Sequence, residues 1–247
     1  MRGDTEVIMM IAFFLLGAIV GSTLGSDAMP EWLVSLADAF ATLAATFIGA
    51  WLAFRFESRR EDLQKRERNI DALNQTLFEL VSLYNKFLSI KRQFIEPHKN
   101  SRFEHLVIPP MAGIIPPASF DYRGINFVLH SANPNILGTL SRVELEASTT
   151  LDVVRQRTDL HYSKAQSAAE RALQRRGANF TELDVESELG PRDLMALVSL
   201  TKAMVKGVDD VLESTYKHIE ALHDIGREMF PGARIIKMDL PPASTAQ

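Results

Sequence analysis

Residues 7–25 form an apolar run with no charge inside it, Val7-Ile-Met-Met-Ile-Ala-Phe-Phe-Leu-Leu-Gly-Ala-Ile-Val-Gly-Ser-Thr-Leu-Gly25. As a helix this run spans roughly 28 Å, close to the hydrocarbon thickness of a bilayer. A second run, 32–54, is also long enough and carries one charge, Asp38, near its start. Only Ser26-Asp-Ala-Met-Pro30-Glu31 separates the two, so they are expected to pair as an antiparallel hairpin across a membrane. Lipid permits few spanning structures, because every backbone polar group must be satisfied within the protein. The two runs therefore constrain the fold more than any other feature.

Small residues recur at every fourth position in both runs. The first has Gly17, Gly21 and Gly25; the second has Ala37, Ala41, Ala45 and Gly49. A step of four keeps residues on nearly one helix face. In lipid, such stripes mark helix contacts. They either lock the hairpin within one chain or also join neighbouring chains into a homo-oligomer. Asp38, Thr42 and Thr46 follow the adjoining row. An ionisable residue inside a span is a site hypothesis by default. Asp38 either stays partly hydrated near the interface or lines, with the two threonines, a polar passage between assembled hairpins.

The flanks set the orientation. The turn holds Asp27 and Glu31, whereas Arg55, Arg59, Arg60, Lys65, Arg66 and Arg68 follow the second run and Arg2 precedes the first. Positive flanks remain cytoplasmic, so both termini are expected in the cytoplasm of a two-pass inner-membrane protein. Trp32 and Trp51 lie near the ends of the second run, where interfacial aromatics gather. Residues 1–26 have a rival reading as a cleaved signal peptide, but Asp4 and Glu6 offset Arg2 and the apolar core is long. The basic run suits contact with anionic lipid headgroups. Glu57, Glu61, Asp62 and Glu67 interleave with it, so direct nucleic-acid binding is not expected.

About 190 residues follow the hairpin, enough for one domain with a core. The net charge is -4 and there is no cysteine, which excludes disulfides, thiolate metal sites and cysteine nucleophiles. No Pro or Gly lies between Ala50 and Glu96. Leu63, Ile70, Leu73, Leu77, Leu80, Tyr84, Phe87 and Phe94 recur in alternating steps of three and four, widened by Val81, Leu88 and Ile95. That pattern predicts a juxtamembrane heptad helix over 57–96, packed in a bundle and ended by Pro97.

Residues 97–133 hold a proline-rich excursion, too apolar for a disordered linker, and then a short helix or turn. Asn133-Pro134 predicts the start of a long helix reaching about Arg176, with Gly177 as its stop. Acidic residues 178–189 read as a loop, and Pro191 to Phe230 as the last helix. Residues 134–232 thus complete the bundle, and 233–247 form a tail. The expected fold is all-α: an N-terminal two-helix transmembrane hairpin (1–56) continuous with a cytoplasmic antiparallel helical bundle.

No catalytic, cofactor or metal constellation emerges. His218 and His223 are five residues apart, on different helix faces, unlike the four-residue step of a zinc-binding helix. There is no Walker loop, no nucleophile elbow and no dinucleotide fingerprint.

The hairpin, the charged juxtamembrane helix and the helical body together resemble the two-span membrane effectors of bacterial antiphage defence, including those that accompany some retrons. Leu73-Asn74, Leu77-Phe78-Glu79-Leu80, Ile90-Lys91-Arg92-Gln93 and Glu96-Pro97-His98 are similar to a bacterial membrane-protein family pattern. The resemblance implies an effector rather than an enzyme. It would assemble and disrupt the inner membrane on activation, with its body holding a cytoplasmic protein or ribonucleoprotein partner. The alternative is a membrane-tethered scaffold or accessory subunit that localises a cytoplasmic complex.

Overall fold

A computed structural model of the chain describes residues 31–111, 113 and 119–237. Every regular element among them is helical. The chain divides into two compact units, Met1–Leu63 and Gln64–Gln247. Helix α1 is Glu31–Ile90.

The second unit is a helical bundle built on α1, α3 (Ile136–Leu160) and α6 (Pro191–Met229). Contacts along α6 fix the directions. Leu73 lies against Gly226, Tyr84 against Tyr216, and Lys91 against Asp209, so α1 and α6 are antiparallel. Thr150 touches Gly207 and Arg157 touches Thr201, so α3 is antiparallel to α6 as well. Burying these apolar stripes is what holds the bundle together, at about 25 cal/mol for each Å² removed from water.

The core follows the heptad pattern closely. Leu73, Leu77, Leu80, Tyr84 and Phe87 from α1 meet Leu140, Val143 and Val154 from α3 and Met204, Val208, Leu212 and Leu222 from α6. Val81, Leu88 and Ile95 are buried too, so the widened stripe belongs to a bundle rather than to a two-stranded coil. Leu63 is a correction. It is 61% exposed, and the buried seam begins with the half-buried Ile70 and with Leu73.

Three further boundaries differ from the expectation. The α-helical geometry of α1 ends at Ile90, followed by a π turn over Lys91–Ile95 and a 3-10 turn over Glu96–His98 that contains Pro97. Helix α3 begins at Ile136 rather than at Pro134, which lies in the preceding turn. A second π turn, His161–Ala165, then joins it to α4 (Gln166–Arg176).

The acidic stretch read as a loop is helix α5 (Glu182–Leu189). Its start is a capping box: the Thr181 N–H donates to Asp184 Oδ2 at 2.9 Å. Val185 and Leu189 bury against Ala168, Ala172 and Leu197 in a second, smaller core. The carboxylates that suggested a loop instead pair with α4: Arg176 with Asp184, and Arg171 and Arg175 with Glu188. Gly190, at φ +77°, turns the chain so that Pro191 can open α6.

The described part of the proline-rich excursion, up to Met111, packs on the bundle. It holds a short helix α2 (Glu104–Val107) and buries Ile108 and Met111. After it, Phe120, Ile125, Phe127 and Val128 close one side of the core around a 3-10 turn, Asn126–His130.

Candidate functional site

The first candidate is the apolar and basic stretch at the start of α1. The run 7–25, with Gly17, Gly21 and Gly25, lies outside the described residues. Ala37, Asp38 and Ala41 fall on the α1 backbone, and their side chains also lie outside the description. Among the described residues, no helix is long and apolar enough to cross a membrane.

From Thr42 onward the side chains are defined. Thr42, Ala45, Thr46 and Gly49 are exposed, and a Cβ at Gly49 would meet nothing within 4 Å. The Thr46 hydroxyl donates to the Thr42 carbonyl at 2.8 Å, so its polarity is satisfied within the helix. Leu43, Phe47 and Phe54 are 67%, 73% and 76% exposed and share one face by their spacing of four and seven. Clustered exposed apolar side chains mark an interaction surface, for protein or for lipid.

That face gives way to positive charge. The Arg55 guanidinium stands 5.2 Å from the centre of the half-buried Trp51 ring, a cation–π arrangement. Arg59, Arg60, Lys65, Arg66 and Arg68 are all exposed. Arg66 donates to the Pro231 carbonyl at 3.1 Å and Arg68 to the Gln64 carbonyl at 3.3 Å. The structure thus brings Thr42, Ala45, Thr46 and Gly49 onto one short length of helix, next to the basic run.

The second candidate was not legible as a site. Arg157 is fully buried on the inward stripe of α3. Its Nε donates to Thr201 Oγ1 at 3.1 Å, and its Nη atoms donate to the carbonyls of His105, Ile108 and Pro109. All four acceptors are neutral. Burial pushes the guanidinium down to about 10, which still leaves it charged at neutral pH. Thr201 passes the bond on to the Leu197 carbonyl at 2.8 Å, and Thr158 Oγ1 accepts from the Met111 N–H at 3.1 Å. The excursion is therefore stapled to α3 through its main chain.

Two histidines flank the staple. His161 Nε2 lies 3.0 Å from the Leu106 carbonyl, which requires the proton on Nε2; Nδ1 is buried without a partner. His105 Nε2 is 3.1 Å from Glu186 Oε1 but off the line of a good hydrogen bond. Burial pushes both rings below the usual histidine value, against the pull of Glu186 and of the Leu106 carbonyl. A cavity of about 280 Å³ lies beside them, lined by Leu106, His161, Ala165, Phe180 and Val185. A wider groove of about 520 Å³ runs between α3 and α6, rimmed by Arg142, Glu146, Asp210 and Lys217.

Among the described residues, no group of three metal-ligating side chains converges. His218 is buried, with Nδ1 2.7 Å from the Ser214 carbonyl, while His223 is half-buried beside Asp224. Arg157 could have been found from the sequence, because it continues the buried series Val143, Ala147, Thr150 and Val154 at helical spacing. No family model matches the chain, and comparison with curated proteins and with solved structures gives no match.

Proposed function

We propose that this chain is a membrane-anchored effector. Residues 1–56 form a hairpin in the bacterial inner membrane, both termini are cytoplasmic, and the helical bundle is a cytoplasmic body that holds or senses a protein or ribonucleoprotein partner. On activation, hairpins associate through Gly17, Gly21 and Gly25 and through Ala37, Ala41, Ala45 and Gly49, and they breach the bilayer. The setting inferred from the resemblance is antiphage defence. The observation that carries the anchoring is the exposed face of Leu43, Phe47 and Phe54, followed directly by exposed arginines. An apolar face ending in a cationic belt suits the boundary between hydrocarbon and anionic headgroups.

A second reading is a membrane-tethered scaffold. The charged groove between α3 and α6 supports it, since that groove offers a partner both signs of charge. Expression separates the two readings. An effector depolarises cells and arrests growth, and Gly21→Leu or Ala45→Leu relieves the arrest. A scaffold tolerates both changes and loses function through substitutions at Arg142 or Lys217. Extraction from cells without detergent would remove the anchoring on which both rest, and a carboxyl-terminal reporter active only in the periplasm would remove the cytoplasmic placement of the body.

A further inference from the structure

Past the end of α6 the chain turns and lies back on its own bundle. The Ala233 N–H closes a turn onto the Phe230 carbonyl at 3.0 Å, and residues 234–237 continue without helical structure. Asn74 on α1 brackets this segment. Its Nδ2 donates to the Arg234 carbonyl at 3.0 Å, and its Oδ1 accepts from the Ile236 N–H at 2.9 Å. One side-chain amide thus reads the main chain on both sides of Ile235, as a neighbouring strand would.

The side chain of Ile235 is read as well. It sits over Gly226 of α6, where an added Cβ would stand 2.5 Å from Leu73 Cδ2 and 3.2 Å from Ile235 Cγ2. An added Cβ would collide with Leu73 and press on Ile235 by a few tenths of an ångström, so glycine suits the close packing of both there. Arg66 adds a bond to the Pro231 carbonyl, so α1 holds the segment at a second point. Main-chain bonds supply affinity and a side-chain pocket supplies selectivity in recognition of extended peptides. The docked residues remain partly open: Arg234 and Lys237 are exposed, and Ile235 and Ile236 only half-buried.

We infer that Asn74, Leu73 and Gly226 form a peptide-binding notch for an extended segment with one central aliphatic residue, occupied in cis by the chain's own residues 233–237. The notch belongs to the bundle alone and stands whatever residues 1–63 do. Because the tail is tethered, its local concentration is in the millimolar range, so a free peptide competes poorly while the tail is docked. Weakening the tail opens the notch to a peptide in trans.

The test uses the full chain in detergent and a fluorescent peptide of residues 230–237. The Ile235→Asp chain keeps the notch and loses the seated residue. It is expected to bind the peptide saturably and at least about tenfold more tightly than the unaltered chain. Adding Asn74→Ala should weaken that binding at least about tenfold, since two hydrogen bonds go. A peptide carrying Asp in place of Ile235 should not bind. No saturable binding to a folded Ile235→Asp chain, or equal binding with and without Asn74, overturns the notch. Should Ile235→Asp fail to fold, hydrogen exchange decides. In Asn74→Ala the Ile236 amide should exchange at least about tenfold faster, with the α3–α6 core unchanged, and an unaltered rate overturns the proposal.

Discussion

Helix α1 treats similar residues in opposite ways along its length. Between Thr42 and Leu63, Leu43, Phe47, Phe54 and Phe56 are open to the surroundings. Between Leu73 and Ile90, Leu77, Leu80, Tyr84 and Phe87 are almost wholly covered. Helical periodicity is present in both stretches. What differs is the supply of partners within the bundle: α3, α6 and the packed residues Ile108 and Met111 cover the later stretch, whereas the side chains of the earlier one are exposed. An apolar face thus states that something must cover it, and the rest of the chain decides whether that something is the protein itself.

Matched substitutions put the contrast to the test. Phe87→Ala should lower the unfolding free energy of the bundle by about 3–5 kcal/mol in a denaturant titration. Phe54→Ala should leave that value within about 0.5 kcal/mol. Comparable losses at both positions would break the comparison.

Arg157→Met sharpens it by asking how much the covered stretch depends on polar satisfaction. The carbonyls of His105, Ile108 and Pro109 would lose their donor, at a cost on the order of 3 kcal/mol, and protease cleavage within 97–119 should accelerate. Close approach carries a smaller weight. A Cβ at residue 207 would stand 2.7 Å from Thr150 Oγ1, so Gly207→Ala should cost about 1–3 kcal/mol, partly restored by Thr150→Ala.

In the earlier stretch the leverage is charge. Reversing Arg59 and Arg60 to Glu should weaken binding to anionic vesicles by about 1 kcal/mol for each lost cation, with little effect on neutral ones. The smallest effect is that of pH. His105 and His161 are held below their ordinary value of about 6.5, so the unfolded chain binds more protons than the folded one below that pH. Stability is therefore full above it and falls as pH drops through it. His161→Phe should flatten that slope in melts recorded from pH 8 to 5.

Much of the bundle was readable in advance, because long helices with wide apolar stripes announce themselves. Leu73, Leu77, Leu80, Tyr84 and Phe87 lie in the core as their heptad spacing predicts. Helix α5 reads as a loop because acidic residues dominate the stretch, although Thr181 and Asp184 spell a capping signal three residues apart. The start of α3 slipped because Asn133-Pro134 carries the form of a cap, while the turn needed two more residues before the helix could begin. The clasp of Asn74 on residues 234–236 was beyond sequence reasoning. It joins positions some 160 apart through backbone groups that every residue shares. The exposed face at Leu43, Phe47 and Phe54 matches an apolar run read directly, whereas the buried cation at Arg157 hides among ordinary surface arginines until its stripe is traced.

Arg157 also constrains the order of assembly. Its charge cannot leave water until the carbonyls of residues 105, 108 and 109 are in place, and those carbonyls cannot be covered until the guanidinium arrives. The docking of residues 105–109 and the closure of α3 onto α6 therefore form one cooperative step. A chain emerging from the ribosome must reach residue 201 before that step can finish.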